Sequence, residues 1–379
     1  MSEVYCDEFV REIFGENIFL NFLREREDHA MWLHWKVQDL KVRALESDPD
    51  LIESLQQSYE ETGVASIIED TLKNTGLTVE AEACYPLRNC AIKTLMDRAR
   101  ISGNALKKVK KSVFAEILNR CLKVGQGDAL LRLADGKVSA VLSGDAQDYS
   151  ILPMPELFQR TVEYLDRQFP SKLFTGGCYS HAQVTALWEL TGSMDMLDAY
   201  REALRAHGCT VDDFRPALRL TSSDVGVSSA NLYPTIFKGA EDRLITLGNP
   251  LKVKHKNEAT LEDFEKNLDL IFAQYAHAVD RLTGLLDIEI LHPYTTLLRI
   301  MKFLGFGKKL ALETADLHNA QYGPVPCSAH DLYCDLNEIL YTLQCDGAHS
   351  IKIASMEETI SRAMNIHWPD YDMPGEFAW

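Results

Sequence analysis

Asp135-Gly136 is the feature that most restricts what this chain can fold into. The residues around it, ALLRLADGKVSAVLS (129–143), alternate on both sides of the dipeptide. Asp-Gly supplies the two positive-φ positions of a tight turn, so the segment predicts a β-hairpin near the middle of the sequence. Further strands are expected after it: a pair around Gly176-Gly177, then Phe214–Thr221, Leu232–Lys238 and Arg243–Leu247. In 251–256 the alternation puts Leu251, Val253 and His255 on one face and Lys252, Lys254 and Lys256 on the other.

The flanking thirds carry the helical period instead. From Ile18 onward, Phe22, Leu23, Ala30, Leu33, Val37, Leu40 and Ala44 fall near helical spacing, and Asp48-Pro49-Asp50 ends the run. Helices are expected over 51–61, 87–101 and 103–123, with Ser102-Gly103 as a breaker. Within the centre, one helix follows Pro155 and another lies near 194–206. Beyond it, Phe264, Leu268, Ile271, Tyr275, Val279 and Leu282 form one helical stripe, which Thr260 and Asp263 can cap. Ser328 with Asp331 opens another helix, and Ser355 with Glu358 a third that stops at Trp368-Pro369. Strands segregated from helices predict an α+β fold: a helical N-terminal region (1–125), a central antiparallel β-rich module (126–258) and a helical, acidic C-terminal region (259–379).

Composition excludes several classes. At 379 residues the chain is long enough for two or three domains. An apolar fraction of 46% with 25% charged residues argues against disorder. No apolar run approaches the ~18 residues of a membrane span. The start, MSEVYCDEFV, lacks the basic and apolar regions of a secretory signal, so a cytoplasmic protein without membrane partners is expected. Nine cysteines, with no Cys-x-x-Cys, read as reduced thiols rather than a disulfide framework.

Charge is distributed unevenly. The net charge of −17 repels nucleic acid at long range unless basic residues cluster locally. They do so in 98–123, where Arg98, Arg100, Lys107, Lys108, Lys110, Lys111, Arg120 and Lys123 face Glu116 alone. The lysine face of 252–256 is a second cluster, and Arg215 with Arg219 can extend such a patch from a shared strand face. By contrast, 311–379 holds eleven acidic and two basic side chains. Such a surface can imitate a phosphate backbone, or it can simply keep the chain soluble.

Motifs for specific chemistry are weak. Leu304-Gly305-Phe306-Gly307-Lys308-Lys309 lacks the spacing and the Ser/Thr of a P-loop, and reads as a helix–helix turn. Gly226-Val227-Ser228-Ser229-Ala230 departs from a nucleophile elbow at its last position, although Ser222, Ser223, Asp224 and His181 can be drawn as a triad. Cys327, His330 and Cys334, with Cys345 or His349, can be drawn as metal ligands, but buried cysteine packing explains them as well. No catalytic residue, cofactor or metal is expected.

Three segments resemble a phage- and plasmid-encoded family of unknown function. LRLADGKVSAVLSGDAQDYSILPMPELF (131–158) is similar to its hairpin, turn and helix. In ALRLTSSDVGVSSANLYP (217–234), Thr221, Ser222, Ser223, Asp224, Val225 and Gly226 stand where that family has an asparagine-serine-acid-hydrophobic-glycine turn, Ser222 replacing the asparagine. CSAHDLYCDLNEILYTL (327–343) is similar to its late helix. The resemblance covers about 128–365 in patches and implies a protein of a bacterial mobile genetic element, without naming a catalytic residue. The expected function is a non-enzymatic accessory protein that engages nucleic acid through its basic patches. One alternative is an inhibitor of a host defence protein acting through the acidic C-terminal surface. Another is an enzyme using the polar turn 221–229. Self-association stays open.

Overall fold

The computed structural model describes residues 3–45, 75–79 and 84–379, with Pro49 and Glu53. Apart from Glu53, the helix expected over 51–61 lies outside the described residues. In chain order the strands are β1 (Val10–Ile13), β2 (Ala30–Lys36), β3 (Lys41–Ala44), β4 (Thr75–Thr78), β5 (Cys84–Pro86), β6 (Asp128–Ala134), β7 (Lys137–Ser143), β8 (Leu173–Ser180), β9 (Val184–Glu189), β10 (Phe214–Ser222), β11 (Ala230–Lys238), β12 (Arg243–Thr246), β13 (Leu251–Val253), β14 (Glu289–Ile290) and β15 (Cys327–Ser328). The α-helices are α1 (Glu16–Asp28), α2 (Asn89–Arg98), α3 (Lys111–Leu122), α4 (Met154–Gln168), α5 (Asp198–Ala206), α6 (Leu261–Leu268), α7 (Ile271–Gly284), α8 (Pro293–Leu304), α9 (Lys308–Tyr322), α10 (Ala329–Cys345) and α11 (Ser350–Ser361).

The fold is α+β, and its sheets are antiparallel. The main sheet runs β1-β8-β9-β10-β11, and β12 and β13 share the outer edge of β11. A second sheet runs β2-β6-β7 and a third β3-β4-β5. The first two regions expected from the sequence therefore share sheets: β1 adds to β8, and β2 pairs along the whole of β6, while β14 and β15 of the third pair only with each other.

The hairpin expected at 129–143 forms as β6–β7. Asp135 and Gly136 take φ of 51° and 76°, the two left-handed positions of a type I′ turn. One core lies between this sheet and α2 and α3, with Leu95, Phe114, Leu118, Leu131 and Val141 buried in it. In the main sheet, Leu218, Leu220 and Leu232 pack with Phe19, Phe158 and Trp188 against α1, α4 and α6. A larger core gathers the sheet's distal end under α5 and α7–α10, around Ile236, Tyr275, Leu297, Leu332 and Trp368. The helical stripe read after Thr260 is buried throughout, although the chain breaks at Asp269-Leu270 to give α6 and α7. Both Thr260–Asp263 and Ser328–Asp331 make reciprocal capping boxes.

Four expectations are corrected. The helix read over 18–44 ends at Asp28, and 30–36 is β2, whose Leu33 and Trp35 pack into the α2–α3 core. Its apolar positions satisfy both periods, and the open edge of β6 selects the strand. Gly176-Gly177 lies inside β8 rather than at a turn, because the Phe19 ring lies where a Gly177 Cβ would be, 2.5 Å from it. The strand expected over 251–256 pairs only through Val253, yet its alternation of buried and exposed side chains continues to Lys256. The helix assigned to a Ser355 cap starts at Ser350, where His349 accepts from the Lys352 amide, and it ends at Ser361 before Trp368. Among the described residues, no helix is long and apolar enough to cross a membrane.

Candidate anion-binding cleft

The basic residues singled out in the sequence separate into three groups. Arg98, Arg100, Lys108, Lys110 and Lys111 lie on α2, on the linker after it and at the start of α3; Lys107 lies in that linker. Arg100 closes α2 with φ 54°, and the Lys111 ammonium sits 6.0 Å from the Phe114 ring centre. The expected extension by Arg215 and Arg219 does not form. Arg219 is buried, and its guanidinium is paired with the buried carboxylate of Glu357 on α11. Arg215 is held by Glu189 at 3.0 Å and by Asp242. On β10, Arg219 thus meets α11 rather than solvent, and Arg215 meets β9 and the β11–β12 turn. Lys252, Lys254 and Lys256 remain: all three are exposed, with no ion pair among the described residues. They stand beside the main sheet, whereas α2 and α3 rest on β7 and β3 of the other two sheets.

The lysine strand forms one wall of a cleft of about 330 Å³. Loop 145–150, turn 226–229, Asn231 and Glu358 complete it. The turn at 221–226 shapes this cleft rather than displaying its own side chains. The Ser223 hydroxyl donates to the Ala182 carbonyl at 2.6 Å and accepts from the amides of Val225 and Val227, both at 3.2 Å. Asp224 pairs with Arg132 at 2.9 Å, while burial pushes its carboxyl up to about 6 against the pull of that arginine. Gly226 reverses the chain at φ 74°. Thr221 is buried in β10.

His255 anchors the opposite wall. Its Nδ1–H donates to the Ser150 carbonyl at 3.2 Å, which leaves Nε2 to accept from the Ser222 hydroxyl at 3.3 Å. Burial pulls its pKa down to about 4, so the ring is neutral at pH 7. The Tyr149 ring stacks on it with centres 5.5 Å apart. Backbone bonds from Ser150 to His255, from Asn257 to Gln147 and from Glu258 to Ala146 join loop 145–150 to the end of the lysine strand. Ser222 is fully buried on the sheet face away from the lysines. His181 does not join these serines: its Nε2 lies 3.0 Å from the Cys6 carbonyl.

Other candidates are spent on structure. The Gly305–Lys309 segment is a helix–helix turn, with Gly305 at φ 88° closing α8 and Gly307 preceding α9. Cys334 Sγ lies 3.8 and 3.9 Å from the two ring nitrogens of His330, whose Nε2 is 2.7 Å from the Tyr200 hydroxyl. Among the described residues, no group of three or more His, Cys, Asp and Glu side chains is placed to hold a metal ion. Much of the C-terminal acidity is engaged internally: Asp331 caps α10, Asp335 meets His318, Glu338 meets Arg243, Glu357 meets Arg219, and Asp372 accepts from the amides of Leu291 and His292.

Sequence reasoning missed Asp148, Tyr149, Asn231 and Glu358 as cleft residues, whereas Ser228 and Ser229 belong to the polar turn 221–229 that it raised as a candidate. The one available signal was the polar content of β11, where Asn231 and Tyr233 alternate with Leu232 in an otherwise apolar strand. The chain matches no known family, no curated protein and no solved structure.

Proposed function

We propose that this chain is a non-enzymatic binding protein that holds a nucleic-acid strand across the cleft through Lys252, Lys254 and Lys256, acting as an accessory protein of a phage or plasmid in a bacterial cytoplasm. The observation that carries the reading is the cluster of three exposed lysines at alternate positions of one segment, with no ion pair among the described residues. Lys252 lies in β13, and the chain bends at His255, where the Lys256 amide bonds the Lys254 carbonyl at 2.8 Å, so the three ammonium groups form a compact cluster. The net charge of −17 does not steer a polyanion toward the molecule, so the expected affinity comes from short-range contact. Placement in a mobile element rests on the resemblance of segments 131–158, 217–234 and 327–343.

Fluorescence anisotropy of labelled single strands tests the reading. Binding should weaken with salt, with a slope of log K on log salt of about −2 for three phosphate contacts. Reversing Lys252, Lys254 and Lys256 to Glu should abolish it. Reversing Lys108, Lys110 and Lys111 should lower it no more than about twofold, a nonspecific charge effect. Flat titrations at micromolar protein, or binding that survives the first reversal, would overturn the proposal.

A further inference from the structure

The cleft has a second, chemically different end. Asn231 lies directly across from Lys252 in the β11–β13 pairing, so both side chains rise from the same face of the sheet. Asn231 is 1% exposed and forms part of the cleft wall. Its Nδ2 donates to Ser228 Oγ at 3.2 Å and to the Tyr233 hydroxyl at 3.4 Å. Its Oδ1 has no hydrogen-bond partner among the described residues. A buried acceptor left without a donor is costly, and native chains seldom keep one without a use. Beside it, the Glu358 carboxylate lines the same cleft, and burial helps the nearby Tyr233 hydroxyl to retain its proton.

One part of the cleft is therefore the lysine cluster, and another, starting at Asn231 beside Lys252, holds acceptors, with Asp148 a further carboxylate in the wall. A bare phosphate uses the first and is repelled by Glu358. A ligand that fills both must carry an anionic group and, about one sugar away, hydrogen-bond donors. Ribose linked to phosphate has this arrangement, and carboxylates are apt acceptors for its hydroxyls. Deoxyribose lacks the 2′ donor, the group by which proteins distinguish RNA from DNA. A volume of about 330 Å³ lies at the small end of ligand sites, suited to one nucleotide unit rather than a duplex.

We infer that the cleft selects ribonucleotides: the phosphate rests on Lys252, Lys254 and Lys256, the 2′-hydroxyl donates to Glu358, and Asn231 Oδ1 accepts from a second donor of the same unit. This rests on the nucleic-acid reading above and goes beyond it by naming the sugar.

The test is a paired titration of the full chain with ten-residue oligoadenylates, one of ribose and one of deoxyribose, at one salt concentration. The ribose strand should bind roughly tenfold tighter or more. Glu358→Gln, which keeps shape and removes charge, should bring the ribose strand close to the deoxyribose one. Asn231→Ala should weaken both strands, because the second donor is common to them, with thermal melting confirming that the variant remains folded. Equal affinity of the parent protein for both strands, still lost on lysine reversal, would overturn the sugar assignment and leave the nucleic-acid reading intact. So would a ribose preference that survives Glu358→Gln. Binding of neither strand would overturn both.

Discussion

Arg219 and Glu357 show why a charged residue in a central strand cannot be read as surface. Each is almost completely buried, one on β10 and the other on α11, and each is the other's counter-charge. Burial raises the carboxyl of Glu357, and Arg219 opposes that rise. Removing one partner leaves the other charge buried and uncompensated, so Arg219→Met should cost about 3–5 kcal/mol in urea denaturation at pH 7. Replacing both, as Arg219→Met with Glu357→Leu, should recover most of that loss; a double variant no more stable than the single one would refute this account. His255 gives a pH-dependent counterpart. Its folded pKa is near 4, whereas the unfolded chain protonates it near the ordinary histidine value of 6.5. Between those values the unfolded state holds a proton that the folded state lacks, so stability falls as pH drops through the window and levels off below it. The contribution is at most roughly 3 kcal/mol. His255→Gln should flatten the fall in urea midpoint between pH 7 and pH 5, and parallel curves for variant and parent would exclude His255 as its source.

At the scale of elements, the legible features were those with a strong local cause. The Asp-Gly turn, the two capping boxes and the buried stripe from Phe264 to Leu282 depend on residues a few positions apart, and each is where the sequence puts it. Residues 30–36 were misread because their partner, β6, lies about a hundred positions away, and only that partner decides between two periods. Gly177 is the same lesson in one residue. Its lack of a side chain reads locally as a turn, but in β8 it makes room for the Phe19 ring, which is itself packed against Phe158 and Phe174. Gly177→Ala should therefore destabilise the protein by about 1–3 kcal/mol through overpacking. Phe19→Leu should cost less in that background than in the parent, because the smaller side chain relieves the clash. Additive costs in thermal melts would count against it. The cleft was half legible for a related reason: the lysine alternation is local, but Asn231 and Glu358 reach it from β11 and α11 only after the sheet has formed.

At the scale of the whole molecule, the two ends of the chain close onto one sheet. Arg88 binds the carbonyls of Val4, Tyr5 and Cys6, fixing the chain just before β1. On β1 itself, Glu12 accepts from the Ser350 amide at 2.6 Å and from its hydroxyl at 3.0 Å. This carboxylate sits at the positive end of α11, where a charge-assisted bond and the helix dipole act together. The helix so held carries both Glu357, which neutralises Arg219, and Glu358, which forms the acceptor end of the cleft. The placement of a site residue near the end of the sequence thus depends on one near its start, a relation no local pattern can reveal. Glu12→Ala should cost about 1–2 kcal/mol, the typical loss of a helix cap. The cost should be regional: in native-state hydrogen exchange, amides of β1 and α11 should lose protection together, while α8 and α9, which pack in the distal core, keep theirs. Because α11 then loosens at its first turn, ribose discrimination at Glu358 should weaken while lysine-dependent binding remains. Uniform loss of protection across all helices would mean that Glu12 supports the global fold rather than the position of this one helix.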